Sequence, residues 1–214
     1  MRRAERADDH WSGHWSFPGG RRDGNDEDLL ATALRELHEE CGVSLERSDL
    51  EMPLKPMTAR RRTGPFLVVA PFVFKLESAM DAVPDLMEAV ETRWFPLDIL
   101  RDPREHRVTG IPKVPDGMLF PCIPLPEMPL WGFTYRLITE WLNLLPAPVE
   151  RPGVMQRLCD SLAGLDPDTA IQRLNEPWNE VPPVNMVEVQ SDGLRISGLD
   201  FEDYRISLNS PSTS

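Results

Sequence analysis

The chain has 214 residues, 41% hydrophobic and 27% charged, which permits one globular domain of moderate size with an appendage. A formal charge of -12 and a pI near 4.8 argue against nonspecific binding to nucleic acid or to an anionic membrane, because phosphate contacts need a basic surface. Three cysteines without metal-site spacing read as reduced thiols in a cytoplasmic protein, and no apolar run is long enough to span a bilayer.

In chain order, Met1 to Arg6 reads as the end of a strand whose apolar beginning is absent. A polar loop from Asp8 to His14 follows. Trp15 to Phe17 is then expected as a short strand leading into Pro18-Gly19-Gly20. The next segment, to Val43, is predicted to be a helix with its signals in place. Asp26 is the expected N-cap, and Glu27 and Asp28 put negative charge where the helix dipole favours it. Leu30, Ala33, Leu34, Leu37 and Cys41 form an apolar stripe, and Gly42 sits where a helix ends in a left-handed turn.

The other face of this helix is acidic. Glu36 and Glu40 stand one above the other, with Glu39 beside them, and like charges at these spacings repel. No lysine is interleaved. One reading is a solvated acidic face. The other is that divalent cations sit among the carboxylates, since Mg²⁺ is held by a few carboxylates together with water and substrate phosphate. Gly19 and Gly20 would let the backbone approach such a site closely.

Further along, Leu50 to Leu54 is a weak strand. Arg60-Arg61-Arg62 is the one concentrated basic run, either a solubilising turn or a face for substrate phosphate, which guanidinium forks suit. Phe66 to Leu76 reads as a buried strand interrupted at Pro71, and Glu88 to Leu97 as another. A short helix starts at Asp98 and stops at Pro103. Residues 104–117 are loop-like, and Met118 to Ile123 is a strand. Trp131 to Leu145 is a helix with an apolar stripe through Tyr135, Ile138 and Trp141. Pro146-Ala147-Pro148 looks like a boundary. Beyond it, Val154 to Leu162 and Asp168 to Leu174 are expected as helices. Met186 to Ser197 is expected as a hairpin around Ser191-Asp192-Gly193, and Asn209 to Ser214 as a disordered end.

The string Gly20, Glu27, Arg35-Glu36-Leu37-x-Glu39-Glu40-x-Gly42-Val43 resembles the Nudix hydrolase signature, Gly-x5-Glu-x7-Arg-Glu-(aliphatic)-x-Glu-Glu-x-Gly-(aliphatic). The match is complete from Glu27 to Val43, with one extra residue between Gly20 and Glu27. That spacing, and Gly13-x3-Phe17-Pro18-Gly19-Gly20 before it, resemble the coenzyme A pyrophosphatase-like subgroup. Asp9 stands where that subgroup carries an arginine.

The resemblance implies an α/β fold, the Nudix α/β/α sandwich with a mixed β-sheet. Its first strand would be truncated, with a domain over residues 1–148 and an extension over 149–214. That extension would cover the active-site mouth, pack against the domain, or make a homodimer contact. The resemblance implies Mg²⁺ or Mn²⁺ as cofactor, with Gly20, Glu36, Glu39 and Glu40 as metal ligands. Arg35 would orient the glutamates, and Arg60, Arg61 and Arg62 would meet the substrate. Glu27 is the less secure member of the signature, and His38 reads as a surface residue. Glu39, Glu40, Glu88 and Glu91 all qualify as general base. The implied reaction cleaves a diphosphate bond in a small nucleoside diphosphate derivative. The substrate would be coenzyme A or its thioesters, giving 3′,5′-ADP and 4′-phosphopantetheine. The alternatives are a Nudix hydrolase of ADP-ribose or another nucleoside derivative, and a non-catalytic binding module on the same fold.

Overall fold

Arg2 and Arg3 (β1) are paired on both sides, and this fixes the start of the site loop. On one side β1 pairs antiparallel with Ala89–Glu91 (β6). On the other, Arg2 bridges Trp15, the Arg3 amide donates to the His14 carbonyl at 3.0 Å, and the Ser16 amide donates to the Met1 carbonyl at 2.9 Å. The expected strand at Trp15–Phe17 is therefore one bridge with flanking bonds. Trp15 is buried, with the Arg93 guanidinium 5.2 Å above its ring. The computed structural model describes residues 1–7, 9, 11–59, 67–78, 80–144, 151–181, 183–198 and 203–209. Arg60, Arg61 and Arg62 lie outside them, as do residues 210–214.

The chain divides into two units, residues 1–94 and 95–214. Among the described residues, the first carries the signature helix, Leu29–Cys41 (α1), and three two-stranded antiparallel ladders. Besides β1 with β6, these are Leu50–Pro53 (β2) with Phe72–Phe74 (β5), and Met57–Ala59 (β3) with Leu67–Val69 (β4). The strand expected over Phe66–Leu76 is thus two short strands flanking Pro71. It is not buried: Leu67 and Val68 are exposed, and Phe72 to Phe74 are half-buried. Pro71 has no amide to give a ladder, yet its carbonyl accepts the Leu54 amide at 2.9 Å.

The second unit begins with a short helix, Leu97–Arg101 (α2). Its sheet runs in the order Asp203–Ser207 (β12), Gly193–Gly198 (β11), Val184–Gln190 (β10), Met118–Ile123 (β8), Arg107–Gly110 (β7), all antiparallel, with Leu130–Trp131 (β9) also on β8. Gly132–Trp141 (α3) buries Tyr135, Leu137, Ile138 and Thr139. Arg151–Leu162 (α4) and Pro167–Leu174 (α5) close the core, in which Met155, Leu162 and Leu174 pack with Val108, Val187, Leu194 and Ile196. The sequence boundary at residue 148 is thus no break in this sheet, because β10, from the expected extension, pairs directly with β8. The two tail helices and the β10–β11 hairpin lie where the sequence places them. β7, within the stretch read as loop, and β12 are additional. Among the described residues no helix is long and apolar enough to cross a membrane.

Candidate active site

α1 positions the site. Its N-cap is Asp28, whose Oδ1 accepts the Ala31 amide at 2.8 Å. The cap expected at Asp26 is corrected: Asp26 lies two residues earlier, is only 7% exposed and is used otherwise. Gly42 ends the helix at φ 65°, its amide donating to the His38 carbonyl at 2.9 Å. Leu30 and Cys41 are buried, so the opposite face turns Arg35, Glu36 and Glu39 toward the Gly19–Gly20 loop.

Glu40 lies on the buried side, 6% exposed, and its Oε2 accepts the Gly19 amide at 2.8 Å. Burial pushes its carboxyl up to about 7. The Gly19 amide and Arg3 pull it down, while the charges of Glu36 and Glu88 push it further up. The adjacent Gly20 sits against Glu36: a Cβ there would stand 2.2 Å from Glu36 Oε1. One dipeptide thus touches both carboxylates, by an amide on one and by bare Cα on the other.

Arg35 supplies the counter-charge that no lysine provides. Its Nη1 donates to Glu39 Oε2 at 2.8 Å and lies 3.0 Å from Glu36 Oε1. Its Nε and Nη2 each reach Asp26 at 3.0 Å, and Nη2 also donates to the Arg21 carbonyl at 3.2 Å. Asp26 holds the guanidinium well above its ordinary value and is itself held well below the carboxylate range, first by Arg35 and then by the Asp23 amide. Arg35 offsets part of the charge of Glu36 and Glu39, its single positive charge being shared with Asp26, and burial with one amide bond from Gly19 sets the state of Glu40.

A cleft of about 550 Å³ opens beside this face, lined by Arg21, Arg22, Asp23, Asn25, Asp26, Arg35, Glu36 and Glu39. Arg22 spends its guanidinium on the carbonyls of Asp26 and Glu27. Among the described residues, the Arg21 side chain has no hydrogen bond or ion pair, although its backbone is tied to Arg35. Sequence reasoning passed over Arg21. Its signal was adjacency to Gly19-Gly20, outweighed by the longer basic run at Arg60–Arg62.

The other sequence candidates are placed as follows. Glu27 is exposed and pairs with Arg47 at 3.2 Å. Glu88 pairs with Arg6 at 2.9 Å. Glu91 is held by Arg2 at 3.3 Å and Arg93 at 2.6 Å. His38 is at the surface, its Nδ1 2.9 Å from Ser44 Oγ. Asp9, the departure from the subgroup pattern, is bound by Arg3 Nη2 at 2.7 Å.

Glu36, Glu39, Glu40 and the Gly20 carbonyl are hard oxygen donors of the kind Mg²⁺ and Mn²⁺ take. Among the described residues, no three acidic, imidazole or thiol side chains form a ready metal cage. The residues fit a cation that water and substrate phosphate help to hold, in which Gly20, lacking a Cβ, leaves the Glu36 carboxylate its place.

A sequence profile of the NUDIX domain matches residues 1–113, just over half of the 214-residue chain. The chain belongs to the Nudix family. Its α/β fold, of helices and antiparallel ladders, accords with the Nudix α/β/α sandwich. A peroxisomal coenzyme A diphosphatase of Mus musculus, NUDT7, is 35% identical over 137 residues, 63% of this chain and 56% of that protein. An uncharacterised protein of Schizosaccharomyces pombe is 30% identical over 113 residues, 50% of this chain and 34% of its own length. The uncharacterised Nudix hydrolase NudL of Pectobacterium atrosepticum is 30% identical over 105 residues, 45% of this chain and 55% of that protein. The chain thus spans between a third and just over half the length of these relatives.

Proposed function

We propose that this Nudix chain is a metal-dependent hydrolase that cleaves the diphosphate bond of coenzyme A or its thioesters, giving 3′,5′-ADP and 4′-phosphopantetheine. The observation that carries the reading is the Gly19–Gly20 clasp on Glu40 and Glu36, in a loop that opens onto a cleft lined by Arg21, whose side chain has no hydrogen bond or ion pair among the described residues. The choice of substrate is supported by the Gly13-x3-Phe17-Pro18-Gly19-Gly20 lead-in and by the likeness to the mouse diphosphatase. The free thiols of Cys41, Cys122 and Cys159 suit a cytoplasmic setting. The family match lies inside residues 1–148, the span to which the hydrolase function is assigned. A homodimer belongs to the same reading.

Glu36 and Glu40, with Glu39 and the Gly20 carbonyl, would hold Mg²⁺ or Mn²⁺, which when bound supplies charge neutralisation and a more acidic water. The protein's own part is positioning and electrostatics. Arg21 meets a phosphate oxygen with a guanidinium that has no competing partner among the described residues. Arg35 holds Glu36 and Glu39 apart from each other's charge. Of the four base candidates, Glu91 is the most engaged, its carboxylate held by both Arg2 and Arg93. Glu88, paired with Arg6, and Glu40, whose carboxyl the Glu88 charge pushes up, stay in contention with Glu39.

A screen of diphosphate compounds with Mg²⁺ or Mn²⁺ tests the reading. Release of 3′,5′-ADP from coenzyme A is expected. Turnover of ADP-ribose or a nucleoside triphosphate, with none of coenzyme A, replaces the substrate. One observation favours a non-catalytic binding module: Arg35 and Gly19 already hydrogen-bond to Glu39 and Glu40, so part of the pairing of the acidic set is met inside the protein. No turnover of any diphosphate by the unsubstituted protein would leave that reading standing.

A further inference from the structure

We propose that Asp26 is a positioning residue, which sets the glutamates of α1 through Arg35; the inference deepens the reading above and rests on it. Asp26 occupies none of the signature positions. It immediately precedes Glu27, in the loop whose one extra residue departs from Gly-x5-Glu spacing.

A charged side chain only 7% exposed must be matched by partners, and Asp26 is. Arg35 Nε and Nη2 donate to its two oxygens at 3.0 Å each, the Asp23 amide at 2.9 Å and Thr32 Oγ1 at 2.8 Å. A two-pronged guanidinium–carboxylate contact fixes the plane of the guanidinium. The remaining nitrogen, Nη1, then has one direction, and Glu39 Oε2 and Glu36 Oε1 meet it at 2.8 and 3.0 Å. Glu27, the signature acid, faces Arg47 and is exposed. In this chain it is therefore Asp26 that faces the Arg35 guanidinium. With Asp26 uncharged, the fork loses its clamp, Arg35 turns among rotamers, and Glu36 and Glu39 follow it. Groups that orient ligands in this way commonly alter metal affinity or activity about 10–100-fold when removed.

The competing account is a buried ion pair that supports stability alone. Asp26→Asn keeps the shape and removes the charge. Arg35→Lys keeps the charge and removes the fork. Three quantities are measured on each variant and on the double variant: Mn²⁺ affinity by electron paramagnetic resonance, kcat and KM on coenzyme A, and the urea midpoint. D26N is expected to weaken Mn²⁺ binding and lower kcat by about tenfold or more, with KM held within about twofold. In the R35K background D26N adds nothing further, because both substitutions break one device. Unchanged Mn²⁺ affinity and kcat per folded molecule, with only the urea midpoint moving, overturn the inference. So do effects that add. Should D26N not fold, R35K carries the test, and wild-type Mn²⁺ affinity in it is the overturning result. Should the unsubstituted protein hydrolyse no diphosphate, the proposed function fails while the Mn²⁺ titration still judges Asp26. Equal affinity in D26N and the unsubstituted protein, or no uptake by either, then counts against it.

Discussion

A methyl group on Gly20 would stand 2.2 Å from Glu36 Oε1, and one on Gly193 would stand 2.0 Å from the Ile206 carbonyl oxygen. The steric conflict is the same, but the obstacle differs. At Gly20 it is the end of a side chain that can swing away. At Gly193 it is the backbone of β12, held by five paired positions from Gly193 to Ser197, and Gly193 itself has φ 157°. The first glycine protects the placement of a carboxylate, and the second protects a fold. The surroundings agree. The neighbours of Gly20 are charged groups satisfied by directional bonds. The second unit, which contains Gly193, has an apolar core in which Leu162, Leu174, Val187 and Ile196 are fully buried.

The largest expected effects test that contrast directly. Gly20→Ala should lower hydrolysis by about 100-fold, the usual cost of a misplaced catalytic group, with a melting temperature close to that of the unsubstituted protein. Gly193→Ala should do the reverse. A loss of about 2–4 kcal/mol in urea unfolding is expected, with unchanged specific activity in the folded fraction. Equal stability losses in the two variants would dissolve the distinction.

Arg21→Ala sharpens the site side. Losing one charge-assisted contact to phosphate should raise KM about tenfold, with kcat nearly unchanged. Arg104→Ala, which removes a guanidinium engaged with Asp102, should change neither and serves as control.

The smallest effect is in pH. Glu40 is pushed from its ordinary 4.5 up to about 7, so the folded state holds its proton more tightly than the unfolded chain. Its contribution to stability is complete below pH 4.5 and is lost as pH rises through 7. The metal-free urea midpoint should therefore fall across that window, and Glu40→Gln should flatten the fall. Mn²⁺ must displace the same proton, so its apparent affinity should rise over the same range.

How much of this could be read from the sequence depends on where each residue's partner lies. α1 was legible because its stripe and its Gly42 stop are local. Its cap was not, because Asp26, Glu27 and Asp28 are chemically alike in sequence. Arg35 and Arg47, which distribute them among three tasks, are reached only by folding. Glu36 and Glu39 were visible as a pair, but their pairing depends on the direction of one guanidinium shared with Asp26. The β10–β11 hairpin announced itself through Ser191-Asp192-Gly193. β7 did not, since Arg107-Val108-Thr109-Gly110 carries one buried apolar side chain, Val108, and owes its extended form to pairing with Leu119–Cys122. Pro71 was readable as an interruption, whereas the exposure of Leu67 and Val68 beside it was not.

Manganese titration of the unsubstituted protein and of Glu40→Gln, followed by calorimetry, tests most directly whether the α1 carboxylates hold a divalent cation. Saturable uptake by the unsubstituted protein, lost or much weakened in the variant, is the predicted result. No uptake by the unsubstituted protein, or the same uptake by both, would contradict it.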